Sequence, residues 1–179
     1  VTTAVLTGIA TWRAGMDEVN VRHHPVDAAL TSLDEPVTTE LLDRVRRTSG
    51  VERAIAVDGV VAQVSGFDAP LPVITAPNAA QVARDGGAFA QVEPGTIRID
   101  LDAFVKPTIK PGDQVTVRVG DRQTQLRVIT LSGWGKAALV APETLAQLTD
   151  APERHVIWVR AAAGADPFAL AGALDRVAD

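Results

Sequence analysis

The side chains that could carry nucleophilic chemistry are few. A serine nucleophile needs a base within hydrogen-bond reach, and the candidates are Ser32, Ser49, Ser65 and Ser132 with His23, His24 and His155. No Gly-x-Ser-x-Gly elbow is present. Val64-Ser65-Gly66 and Leu131-Ser132-Gly133 read as strand-end turns. A triad would have to be assembled by the fold from distant segments. His23 and His24, with Asp17 and Glu18 nearby, suggest a metal site only on paper. Adjacent residues of a helix do not share a face, and no third ligand is evident, so this stretch reads as a solvated connector. His155 opens an apolar strand and reads as a strand-end residue. Asp100 and Asp102 lie on one side if their strand continues, which would make a carboxylate pair; the alternative is Asp100 as a helix N-cap.

Phosphate chemistry fares no better. A phosphate-binding loop needs G-x-x-x-x-G-K-[ST], so that backbone N–H groups and a lysine wrap the phosphates. Gly133-Trp134-Gly135-Lys136-Ala137 lacks both the spacing and the hydroxyl, and no dinucleotide fingerprint is present. With no cysteine in the chain there is no thiolate nucleophile, disulfide or Cys-containing zinc site. The residues therefore assign no catalytic, cofactor-binding or metal position.

The three tryptophans separate by context. Trp158 lies in an apolar strand and belongs to the core. Trp12, beside Arg13, has the pairing of ring and charge found at membrane interfaces. Trp134 sits between glycines and is the one candidate for contact with a partner or ligand; its alternative is a plug between two lobes.

A chain of 179 residues is one domain, or one domain of two lobes. Apolar residues at 46% and charged residues at 22% are ordinary globular composition. The net charge of -5 excludes a broad basic footprint for nucleic acid, and no aromatic ladder lies on a basic groove.

The elements follow from pattern and punctuation. Residues 1–14 are apolar up to Arg13, too short to span a bilayer alone, since that takes ~20 residues. They read either as a surface helix or as the outer stub of a truncated transmembrane helix. Residues 14–35 read as a polar connector with one turn of helix. Thr38 caps a helix that Gly50 stops. Val51–Val64 is strand-like, and Asp58-Gly59 within it makes either a tight hairpin or one long strand with a bulge. Pro70–Ile74, with prolines at 70 and 72, reads as a short edge strand. A short helix over Asn78–Arg84, a strand over Gly95–Ile99 and one helical turn over Asp100–Val105 follow. Gln114–Val119 and Arg122–Ile129 form a hairpin about Gly120-Asp121. Ala137–Ala141 is a strand, Pro142 opens a helix, and His155–Arg160 is a strand. Asp166-Pro167 starts a last helix with a stripe of Leu170, Ala171, Leu174 and Val177. An apolar start and an uncapped final helix give the expectation of a piece excised from something longer.

These elements make an α+β chain with mixed α/β organisation. Residues 15–67 and 131–179 supply helix–strand units for one sheet, and residues 68–130 read as an inserted β-rich lobe.

Four runs carry a family resemblance: Thr96–Phe104, Ile109–Val119 with its Pro111-Gly112-Asp113 turn, Leu126–Ile129, and Ala138–Leu148. In this order they resemble the extracytoplasmic domain of FtsX/MacB-like ABC transporter permeases. There a strand and short helix lead to an x-P-G-D-x-V-x-V hairpin, a further strand and an a-l-v-x-x-x-x-L strand–helix. This chain departs at Val128-Ile129-Thr130, where the family often has glycine. Gly8–Gly15 resembles the outer end of the family's first transmembrane helix, and Thr39–Val51 its first helix and strand start.

The resemblance implies a porter-like α/β lobe nearest the membrane with a β-rich lobe inserted in it. It places the domain in the cell membrane protein but outside the cytoplasm, anchored at both ends. It implies no chemistry and no cofactor here. A separate cytoplasmic ATPase would drive transport of a lipoprotein, lipid, peptide or drug, or activate an envelope partner. The competing readings are an extracellular ligand-sensing domain and an envelope hydrolase with a dispersed site.

Overall fold

The computed structural model describes residues 4–6, 25–32, 35–84, 86–104, 108–130 and 134–178. Its centre is a strand that serves two lobes. β3 (Val51–Val64) is continuous through Asp58-Gly59, so the long-strand alternative holds and the hairpin does not. The register against its neighbour shifts between Val57 and Asp58, the local bend that a bulge provides.

The first half of β3 belongs to an antiparallel layer. Its order is β1 (Ala4–Leu6), β2 (Ala28–Ser32), β9 (Glu153–Ala161) and β3. β2 was expected as connector. Its five residues are all buried, so it shows no polar alternation, the mark of a strand covered on both faces. Within 1–14, expected as the stub of a helix, Ala4–Leu6 instead pair with Leu30–Ser32 as a strand. An apolar segment beside an open strand gains ladder hydrogen bonds there. The rest of that stub, the Asp17–His24 connector, Ser132 and Gly133 lie outside the described residues.

Cross-strand register sorts the layer's two faces. Leu30, Ile157 and Ala56 form one row, and Ala29, Trp158 and Ile55 the next. The first row faces α1 (Thr39–Arg46) and α3 (Pro167–Ala178), which bury Leu42, Val45, Leu170 and Leu174 against it. Burying each such side chain stabilises the fold by about 1.5–3 kcal/mol. Thr38 Oγ1 accepts from Leu41 N at 3.1 Å, and Gly50 follows the helix with φ +89°, a left-handed conformation that glycine adopts without strain. Asp166 Oδ1 accepts from the Phe168 and Ala169 amides, so the N-caps expected at Thr38 and Asp166 are in place.

The second half of β3 starts a barrel. β4 (Leu71–Thr75), β8 (Ala138–Val140), β5 (Thr96–Ile99), β7 (Arg122–Thr130) and β6 (Gln114–Val119) follow in order. β6 pairs back onto β3 through Gln63↔Arg118 and Val64↔Val117, which closes six strands and removes free edges. β4 is therefore not an edge strand; Pro72 lies outside the Val73–Ile74 stretch that pairs with β8, where its missing N–H costs no ladder bond to that neighbour. Val64, Val73, Ile97, Ile99, Val117 and Val128 fill the interior, with Leu145 and Leu148 of α2 (Pro142–Leu148) sealing it. The barrel thus takes in parts of β3, β8 and α2 beyond residues 68–130.

The Pro111-Gly112-Asp113 turn leads into β6. Asp113 Oδ2 accepts from Lys110 N, Val128 O from Gly112 N and Asp113 O from Val128 N, each at 2.8 Å. The expected helix over Asn78–Arg84 shortens to a 3-10 turn, Ala79–Gln81. Asp100 precedes a 3-10 turn, Leu101–Ala103, without a side-chain capping bond, so the N-cap expectation fails there.

At the barrel's other end Arg122 makes a two-pronged ion pair with Asp150, one prong at 3.0 Å. The hydrogen bond and the charge of Arg122 hold the Asp150 carboxyl below its usual range. A depressed carboxylate contributes stability that is present above its unfolded pKa, ~3.9, and lost as pH falls through its folded value. Because the pair is exposed, the contribution is small. Asp150→Asn is expected to lower the thermal midpoint slightly at pH 7 and to leave it unchanged at pH 2, as followed by circular dichroism.

Candidate functional site

One concave feature of mixed chemistry lies where β2 begins, β9 ends and α3 begins. It is a groove of about 430 Å³, within the size range of small-ligand sites. The run Ala161–Ala165 and the first turn of α3 give it an apolar wall. Phe168 stands at its mouth, 51% exposed, the large apolar side chain left in solvent among the described residues.

Two ion pairs border the groove. Asp27, whose side chain is 6% exposed, meets Arg84 Nη2 at 2.6 Å. Its other oxygen accepts from Ala161 N at 2.8 Å. Arg160 Nε lies 3.5 Å from Glu52 Oε2, and both of these side chains are half-exposed. The groove's two carboxylates, Asp27 and Glu52, are each paired with a guanidinium, Arg84 and Arg160, and its wall is small and apolar. Such a surface can bind a small ligand.

The residues singled out by sequence do not converge on it. Trp134 is 1% exposed, its indole N–H donates to Ala137 O at 2.9 Å, and its ring lies 5.7 Å from that of Phe89. It offers no face to a partner or ligand; of its two readings the fold adopts the buried one. The reason is physical: an indole with its N–H satisfied gains more from burial than any other side chain of that loop. Trp158 is core, as expected, fully buried and 5.1 Å from Phe89.

His155 Nδ1 donates to the carbonyl of Ser32 at 3.0 Å, while the Ser32 hydroxyl donates to Glu35 O at 2.5 Å. The serine is therefore a structural donor with its carbonyl, not its hydroxyl, toward the imidazole, and the pair lacks nucleophile–base geometry. Ser65 Oγ accepts from Thr116 N on the barrel rim. Asp100 is buried and Asp102 exposed. Among the described residues no group of three metal-binding side chains converges, and no helix is long and apolar enough to cross a membrane.

Sequence reasoning missed the groove. Its one signal was Asp27, a lone charge inside the apolar run from Val26 to Leu30, which a charged partner has to neutralise. Arg84 is 57 positions away in sequence, so nothing local announces the pairing.

No protein-family model matches the chain, and no curated protein does either. Among solved structures it is similar to the extracellular domain of the noncanonic ABC-type transporter YknZ from Gram-positive bacteria. That likeness has 12% identity and a TM-score of 0.35, over 72% of this chain and 75% of that one. It is also similar to the periplasmic region of MacB from Actinobacillus actinomycetemcomitans, with 12% identity and a TM-score of 0.33, over 87% of this chain and 84% of that one.

Proposed function

We propose that the chain is the extracytoplasmic domain of an FtsX/MacB-like ABC transporter permease, in two lobes, an α/β layer and an inserted barrel. It performs no chemistry. A separate cytoplasmic ATPase supplies the energy, and the domain passes motion to a lipoprotein, lipid or peptide cargo or to an envelope partner.

The observation that carries this reading is a shared end. α3 begins where β9 stops: Ala165 and Leu170 lie against Gly50, just before β3. Its twelve residues run back for ~18 Å and pack on β1. β1 in turn pairs Ala4 with Ser32, at the far end of β2. Ala4 and Ala178 therefore sit at the same end of the layer, as two anchors in one plane require. β3 also leaves the layer at that end to enter the barrel, so in this reading the barrel lies beside the anchor plane, a revision of the expectation that the α/β lobe is nearest the membrane. The turn at Pro111-Gly112-Asp113, feeding its hairpin, adds the sequence resemblance to this support.

The chain has no cysteine, so single-cysteine labelling is clean. In the membrane protein carrying this domain, Ser65→Cys is expected to react with a membrane-impermeant maleimide in intact cells. Reaction only after lysis would contradict the reading. Recovery of an ABC ATPase with the detergent-solubilised protein tests the coupling.

A ligand-binding role is the second reading, and the groove beside Phe168 favours it. Saturable binding of a hydrophobic fluorescent probe, abolished by Phe168→Asp with the melting curve unchanged, would support it. Binding that ignores the substitution would count against it.

A further inference from the structure

The stretch between β4 and β5 starts and ends in the barrel, yet it packs on the other lobe. Ala76, Ala79, Val82, Ala83 and Phe89 are buried in one cluster with Ala29, Ile55 and Trp158 of the layer. Residues 76–84 and 86–92 thus form a strap across the layer face that α1 and α3 leave free. Two polar attachments hold it. On the barrel side, Arg98 Nη1 of β5 donates to Phe89 O at 2.7 Å. On the layer side, Arg84 N donates to Pro25 O at 2.9 Å, and the Arg84 guanidinium pairs with Asp27.

We propose that the Asp27–Arg84 pair is a latch: closed, it fixes the strap to the layer and the barrel to both; open, it frees the turn at residues 79–84 while the two lobes stay folded. The asymmetry of the pair is the reason. Asp27 is nearly buried and keeps a second tie, to Ala161 N, so it is a fixed post joining the start of β2 to the end of β9. Arg84 is 43% exposed on the groove side, so it can swing into water without uncovering apolar surface. Release leaves the carboxylate's Ala161 bond intact.

Once the ion pair opens, the strap keeps at this end the single backbone bond from Arg84 N to Pro25 O. Its buried side chains before Phe89 are small, Ala76, Ala79, Val82 and Ala83, and each holds by little contact area. Gly87, with φ +85°, lies so close to Ala80 that a Cβ would come within 2.7 Å of its amide nitrogen. The turn is thereby clamped against the segment that follows it, and moves as one piece. With the strap closed, the lobes are joined through β3, through the chain from α2 to β9, and through the latch. With it open, the two chain crossings remain. This device follows from the packing alone and stands apart from the membrane reading.

Hydrogen exchange on the intact chain tests it. Arg84→Ala is expected to speed exchange of the 79–84 amides about tenfold, the local opening that loss of one clasp produces. Amides of β5, β6, β7 and β9 should keep wild-type rates. Arg84→Lys should recover part of the protection. Arg154→Ala, which removes the exposed pair with Asp58, should leave the strap unchanged. In the wild-type chain, raising salt from ~0.05 to ~1 M shortens the Debye length and should accelerate the 79–84 amides selectively, an effect absent in Arg84→Ala. Exchange at 79–84 insensitive to both salt and Arg84→Ala would overturn the latch, as would acceleration spread evenly over the chain. The salt series decides the matter even if the variant does not fold.

Discussion

Gly59→Val is expected to cost the chain about 3 kcal/mol, enough to lower its thermal midpoint by about 6–12 °C. A Cβ at Gly59 would stand 2.5 Å from Val73 O, 2.6 Å from Ile74 Cγ2 and 3.1 Å from Ile74 Cα. Two of those atoms are backbone of the paired strand β4, so no rotamer change relieves the overlap. The position matters because Gly59 pairs with Glu153 on one side and Ile74 on the other. It is where β3 passes from the layer to the barrel. Gly59→Ala should be damaging in the same direction and smaller. A thermal melt in which Gly59→Val matches the wild type would mean that β3 and β4 are not in contact as described.

Trp158→Ala carries the second large effect, a loss of about 3–5 kcal/mol. Trp158 is fully buried on the central strand of the layer, flanked by Ala29 and Ile55 and faced by Phe89. Its truncation would leave a void between the layer and the strap, lined by groups that cannot collapse without shifting β9. A fall in the urea midpoint with an unchanged slope is the expected result. A changed slope would indicate that the strap had already detached in the native state. The indole N–H has no hydrogen-bond partner among the described residues, so Trp158→Phe should recover most of the loss.

These two residues also show what a sequence can disclose. Trp158 sits among Val156, Ile157 and Val159, and four consecutive apolar residues state burial on both faces without any tertiary knowledge. Helix boundaries were legible for the same local reason: Thr38, Gly50, Asp166 and Pro167 act through their own backbone neighbours. The hairpin β6–β7 and the turn before it were legible because Gly120 and the Pro111-Gly112-Asp113 run set their geometry within a few residues.

What was not legible depended on distant partners. Asp58-Gly59 carries the local signature of a tight turn, yet the pairing of β3 with β9, β4 and β6 holds it extended; tertiary contacts outweighed the turn preference. β2 escaped notice because Ala28–Ser32 is short and its neighbours β1 and β9 come from the two ends of the chain. Trp134 looked exposed because glycines flank it, but Gly135 follows it with φ +95° and its ring packs inward onto Phe89. Of the groove nothing was read, since Asp27, Arg84, Arg160 and Phe168 meet only after β2, the strap, β9 and α3 are in place.

In the proposed permease, both ends of the layer are held at one bilayer surface. Depth-dependent quenching measures it most directly. Three single-cysteine forms of the membrane protein, at Ala4, Ala178 and Ala163, would carry an environment-sensitive fluorophore and be reconstituted with lipids bearing quenchers at the headgroup. Strong quenching at Ala4 and Ala178, with little at Ala163 on the groove side, is the predicted pattern. Quenching at only one of the two end positions, or equal quenching at all three, would contradict the account.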